Sequence, residues 1–219
     1  MLSVTKYIKT KVIGLKNRNN LYIHTIGDSH AKIPWEIIVI PKVSIQIHYL
    51  GPRLMHSVGE NEKLLKLNGY NLRENDIIIF CFGEIDCRCH VWKFNKFGYK
   101  TVINNLVDRY FSSIRNNVEK LKNMKICFYN VIPPVEREKH KHNETHDFPF
   151  LGMNQERKSY VNYMNKKLDE KCLENGYLFF NVYNNYCNDA GFLNFELSDG
   201  NVHIGNPQYI NSFIKNNFL

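Results

Sequence analysis

The feature that most restricts the fold is the unbroken apolar run Ile77-Ile78-Ile79-Phe80-Cys81-Phe82, closed by Gly83. A half-buried strand alternates apolar with polar residues, whereas a run apolar at every position needs cover on both faces. The central strand of a parallel sheet, with helices above and below, supplies that cover. The rest of the chain divides accordingly. Residues 21–27 read as a first core strand. Ser44 to Leu50 alternates Ile45, Ile47 and Tyr49 with Gln46 and His48, a strand by its period of two. Residues 125–132 and 177–183 complete five strands, with 76–82 as the third.

Helical spacing lies between them. Val102, Leu106, Tyr110, Ile114, Val118 and Leu121 recur three or four apart within 99–123. Residues 54–67 and 154–175 read as further helices, and 207–217 as a closing one with Pro at its start. An apolar patch, Trp35 to Ile40, sits between Pro34 and Pro41, and residues 184–200 show no regular period. The expected architecture is three-layer α/β/α with a five-stranded, mainly parallel sheet. It forms one domain over 21–219, preceded by a basic arm or edge element over 1–20.

The chain has 219 residues with 43% hydrophobic, enough for a full core. No stretch of about 18 apolar residues occurs, so no membrane partner is expected. The first 20 residues carry Lys6, Lys9, Lys11, Lys16 and Arg18 but no apolar segment of secretory type. The expectation is therefore a cytoplasmic protein whose six cysteines are reduced thiols. Net charge is +8, which would suit an anionic partner. The basic residues are spread out, with no Arg-rich helix and no aromatic–basic stripe, which argues against nucleic acid.

Chemistry-bearing residues fall just after strands. The first strand ends in Gly27-Asp28-Ser29-His30, the second in Gly51 and the third in Gly83-Glu84-Ile85-Asp86-Cys87-Arg88-Cys89-His90. Ser198-Asp199-Gly200-Asn201-Val202-His203 lies near the C-terminus. In a parallel sheet all carboxyl ends share one edge, where ligands bind. Ser29 is then a candidate nucleophile on a tight turn; the competing reading makes Asp28 or Ser29 a helix N-cap. A serine hydroxyl needs an adjacent base, which His203 offers. An aspartate on the other ring nitrogen would fix the tautomer.

Gly27-Asp28-Ser29, Gly51, Gly83-x-x-Asp86 and the Asp199/His203 pair resemble, in order and placement, the motif blocks of the SGNH/GDSL hydrolase superfamily. The resemblance spans residues 21–205. It implies a flavodoxin-like sheet, Ser29 as nucleophile, His203 as base, and Asp199 as the orienting acid. It also implies oxyanion donors from the Ser29 N–H, Gly51 and an asparagine of the third block. Two departures stand out. Ile85 occupies the asparagine position and has no donor, a loss worth about 10²–10³ in rate. Asp199 and His203 are separated by three residues where the family has two, so the turn must bulge at Gly200 for them to meet. The Gly-Glu-Ile-Asp-Cys-Arg form is similar to a glycan-related subgroup.

Arg88 could replace the missing donor, clamp an acidic substrate, or pair with Asp86 and hold the loop. Asp28, His30, Glu84, Asp86 and His90 are read as substrate-contacting or site-supporting residues. The implied activity is removal of an O-acyl group from a small-molecule or glycan ester, without cofactor. Alternatives are transfer of that acyl group to a sugar hydroxyl, or glycan binding without turnover. Cys87-x-Cys89-His90 and the run His140, His142, His146, Asp147 could bind metal, but thiols at an edge and an exposed loop are the plainer readings. Asn143-Glu144-Thr145 matches a glycosylation sequon.

Overall fold

The computed structural model describes residues 20–139 and 148–219. Residues 1–19 of the basic arm, the His140–Asp147 run and the sequon lie outside them. Five strands form one sheet: β1 (Leu21–Gly27), β2 (Val43–Tyr49), β3 (Ile77–Cys81), β4 (Lys125–Tyr129) and β5 (Leu178–Phe180). Their order is β2-β1-β3-β4-β5. Every pairing is parallel, so the sheet is wholly rather than mainly parallel. The chain moves from β1 outward to β2, then returns to lay β3 on the other side of β1. That reversal puts the topological switch, and the crevice that goes with it, between β1 and β3.

The side-chain alternation of β3 builds both layers. Ile78, Phe80 and Phe82 join the core beneath α2 (Tyr99–Val118) and α3 (Asn154–Asn175). Ile77, Ile79 and Cys81 join the opposite core with Trp35 and with Ile210 and Ile214 of α4 (Gln208–Phe218). α2 buries Ile103, Leu106, Val107, Tyr110, Phe111, Ile114 and Val118, one continuous stripe of its surface. α3 stops at Gly176, which takes the left-handed conformation of a C-cap.

Several sequence-derived boundaries change. The helix expected over 54–67 lasts only through α1 (Met55–Glu60), followed by two single turns. Asn61 leaves the helical region and caps the next turn with its side chain, accepting from the Lys63 N–H. Lys66 is left-handed. α2 ends at Val118, short of residue 123. β5 spans three residues and gives way to a helical turn, Tyr183–Tyr186. The loop after β3 is helical: Asp86–His90 forms a wide turn in which the Val91 N–H reaches the Asp86 carbonyl.

A polar cross-link joins β1 to its neighbours. His24 Nε2 lies 3.0 Å from Asp76 Oδ2, and His24 Nδ1 2.9 Å from His48 Nε2. His48 stacks on Tyr70 at 3.7 Å between ring centroids. Burial, then the neighbouring His24, push the His48 pKa down to about 4. With the His24 Nε2–H donating to the Asp76 carboxylate, His24 Nδ1 accepts from the His48 Nε2–H.

Candidate active site

The site begins at Gly27. A Cβ built there would stand 2.0 Å from the Cys81 carbonyl oxygen of β3. Only glycine lets β1 run this close to β3 and then turn. Asp28, fully buried, follows as the N-cap of the turn Ser29–Ala31, its carboxylate accepting from the His30 N–H at 2.8 Å. The capping and nucleophile readings are therefore compatible, because Asp28 caps while Ser29 occupies the first position of the turn.

Asp28 also accepts from His30 Nδ1 at 2.9 Å, and His30 Nε2 lies 3.1 Å from the Val202 carbonyl. Burial works against a charged His30, but the Asp28 carboxylate outweighs it and leaves the pKa raised. His30 thereby ties the Ser29 turn to the segment carrying His203. The two rings are 4.8 Å apart.

Ser198 to Gly205 folds back on itself. The Asp199 N–H donates to the His203 carbonyl at 3.0 Å, and Ser198 bridges Ile204 in antiparallel fashion. Gly200 has φ 83°, a left-handed position at the tip. The extra residue between Asp199 and His203 is taken up by this reversal. Asp199 Oδ1 accepts from the N–H of Asn201 and of His203, leaving Oδ2 2.8 Å from His203 Nδ1. His203 Nε2 is 2.8 Å from Ser29 Oγ. Burial, opposed by the Asp199 hydrogen bond and helped by the charge of His30, lowers the His203 pKa below its usual value. Burial would raise Asp199, but its bond to His203 prevails and lowers it.

The third block divides its labour. The buried Asp86 carboxylate accepts from the Met55 and His56 N–H groups at 2.7 and 3.1 Å. It fixes the start of α1 just beyond Gly51, which has φ 78°. Burial pushes Asp86 up to about 7 despite those bonds. Ile85 is buried. His90 stacks on His56 at 4.4 Å. Cys87 and Cys89 are buried thiols, and no group of metal-binding side chains occurs among the described residues.

Arg88 pairs with Glu84, not Asp86. Its Nε donates to both Glu84 oxygens at 2.9 and 3.2 Å, and Nη1 donates to the Phe148 carbonyl at 2.6 Å. Asp86 is occupied by backbone amides, whereas Glu84 lies one helical turn before Arg88. Burial favours a neutral Glu84, but Arg88 overrides it and lowers the pKa. Phe150 is held between the Arg88 and Arg157 guanidinium groups at 5.3 and 5.1 Å. Arg88 thus fastens residues 148–151 to the third block. Arg88→Ala should cost about 3 kcal/mol, because Glu84 loses its partner. It should leave kcat and KM of the folded fraction within about threefold. Thermal melts beside steady-state kinetics check this; a selective collapse of kcat would make Arg88 an oxyanion donor instead.

No family model matches the sequence, and no curated protein matches it. Solved structures do. A protein from Streptococcus pneumonia, provisionally named a platelet activating factor, superposes with a TM-score of 0.63 at 19% identity, covering 96% of this chain and 89% of that one. Phospholipase A1 from Streptomyces albidoflavus gives 0.56 at 10% identity, over 90% and 99%. The acetyl xylan esterase AlAXEase gives 0.52 at 12%, over 91% and 100%. The chain therefore has the α/β fold that these three proteins share.

Proposed function

We propose that the chain is an SGNH-type serine esterase that removes an O-acyl group from a carbohydrate. The observation that carries the reading is the hydrogen-bonded line Ser29 Oγ, His203 Nε2, His203 Nδ1, Asp199 Oδ2, with both contacts 2.8 Å. Residues 174 and 4 positions apart in sequence converge on one edge of the sheet. The acetyl xylan esterase among the fold neighbours supports a carbohydrate ester, as does the net charge of +8 for an anionic glycan.

In this mechanism His203 Nε2 takes the Ser29 proton as Oγ bonds to the ester carbonyl carbon. The Ser29 N–H and Gly51 N–H face the oxyanion that forms. The intermediate collapses with the sugar alkoxide leaving, and His203 returns its proton to that oxygen. Water, deprotonated by the same His203, then releases the carboxylic acid from Ser29. Asp199 holds the ring with its Nδ1–H inward throughout. With Ile85 in the third block, two backbone donors serve the oxyanion, and turnover should be modest.

p-Nitrophenyl acetate tests the reading. Activity needs neutral His203, whose pKa is lowered, mainly by burial. The acidic limb of kcat/KM should therefore have its midpoint below about 6.5, with full activity already at neutral pH. Absence of turnover at every pH, or a limb near the pKa of a thiol, would refute it.

A further inference from the structure

Beyond the catalytic line, one cavity of about 310 Å³ opens between the start of α2, α1 and the third block. It has the lower end of the size range of small-molecule sites, about 300–1,000 Å³. Its wall is a run of rings. His56 and His90 stack at 4.4 Å, and His90 meets Phe94 at 4.7 Å between centroids. Phe97 stands at the rim, and Phe94 and Phe97 are 53% and 72% exposed. Large apolar rings left this open beside a concavity mark a binding surface.

The cavity is also polar at chosen points. Lys96 and Asn105 line it. Arg109 reaches the wall too, but Glu60 already engages it. The Lys96 ammonium lies over the Phe97 ring, 4.9 Å from its centroid, so Lys96 is the cation the mouth offers. Burial, then His56, then Lys93 push His90 down to about 4. At neutral pH it is an uncharged aromatic face with a hydrogen-bonding edge. In the sequence Trp92, Phe94 and Phe97 interleave with Lys93, Lys96 and Lys100, which corrects the reading that the chain has no aromatic–basic stripe.

The cavity adjoins the segment that follows β3. Asp86 accepts from the N–H of His56, one wall residue, and belongs to the turn that ends in His90, the other. Its neighbour in the chain is Ile85. Flat rings that can cover the apolar face of a pyranose, a polar edge for hydroxyls and the Lys96 ammonium over Phe97 describe a sugar site that favours a carboxylate.

We propose that this cavity binds an acidic sugar residue, a hexuronic acid, of the glycan whose ester Ser29 attacks. The choice of a sugar rests on the esterase reading above. The affinity of the cavity does not depend on turnover, so binding and catalysis can fail separately.

Titration calorimetry of the full chain with digalacturonic acid and with galactobiose tests it, alongside Phe94→Ala and Lys96→Ala. Both side chains are exposed, and melting temperatures should not move. The wild-type protein should prefer the acidic disaccharide about fivefold. Lys96→Ala should erase that preference and leave galactobiose binding unchanged, and Phe94→Ala should weaken both about tenfold. Turnover of p-nitrophenyl acetate is measured on all three proteins beside the binding. No binding of either sugar, or a preference that survives Lys96→Ala, overturns the cavity proposal whatever the ester assay gives. Selective binding without turnover in any of the three overturns the esterase reading and keeps the cavity.

Discussion

Asp199→Asn should lower kcat for ester hydrolysis by up to about 10⁴ and leave KM and the melting temperature near wild type. Both carboxylate oxygens are in use. Oδ1 accepts from the Asn201 and His203 N–H groups, and Oδ2 faces His203 Nδ1. Asparagine keeps an oxygen for the two amides, so the hairpin survives. It places an NH₂ against Nδ1, which forces the imidazole proton onto Nε2. That nitrogen is 2.8 Å from Ser29 Oγ and can no longer take its proton. A variant that keeps the wild-type kcat would show that a group other than Asp199 sets the tautomer.

Gly27→Ala should be the most damaging single methyl in the described structure. The added carbon would stand 2.0 Å from the Cys81 oxygen, 2.8 Å from the Cys81 carbonyl carbon and 3.1 Å from Ala31 Cβ. Overpacking usually costs about 1–3 kcal/mol where side chains can yield. Here the obstacle is backbone, held in the β1–β3 ladder at Gly27 and Cys81, so the cost should reach the top of that range or beyond. For a domain of this size about 3 kcal/mol lowers the melting temperature by roughly 6–12 °C. The shift also moves Ser29, two residues on, so activity of the folded remainder should fall. A variant that melts with wild type would mean that β1 and β3 can separate without loss.

What the sequence made legible follows from how local each cause is. β3 could be read because an all-apolar strand has one simple explanation, and its odd and even residues do enter two different cores. α2 and α3 could be read because their periods are long. The break after Glu60 could not. It depends on Asn61 capping the next turn and on Lys66 adopting positive φ, and an apolar period continues across both. Ser29 could be placed at the sheet edge from the end of β1, whereas Asp199 and His203 lie well past β5 and were placed there by the resemblance in motif order. Their 2.8 Å contacts also need His30, whose two ring nitrogens link Asp28 to the Val202 carbonyl. The partner of Arg88 was accessible in principle. Glu84 and Arg88 are four apart, the spacing of a helical ion pair, but only if residues 83–90 are read as a helix rather than a turn. The role of Asp86 had no local signal, because its partners Met55 and His56 lie about 30 positions away.

The central claim is that Ser29 is a nucleophile activated by His203. Fluorophosphonate labelling followed by peptide mass spectrometry tests it most directly, because the reagent bonds to a serine only where a neighbouring base raises its reactivity. The account predicts one adduct per chain, on the peptide containing Ser29, lost in Ser29→Ala and strongly slowed in His203→Ala. An unlabelled Ser29 in folded protein, or an adduct on another residue that persists in Ser29→Ala, would contradict it.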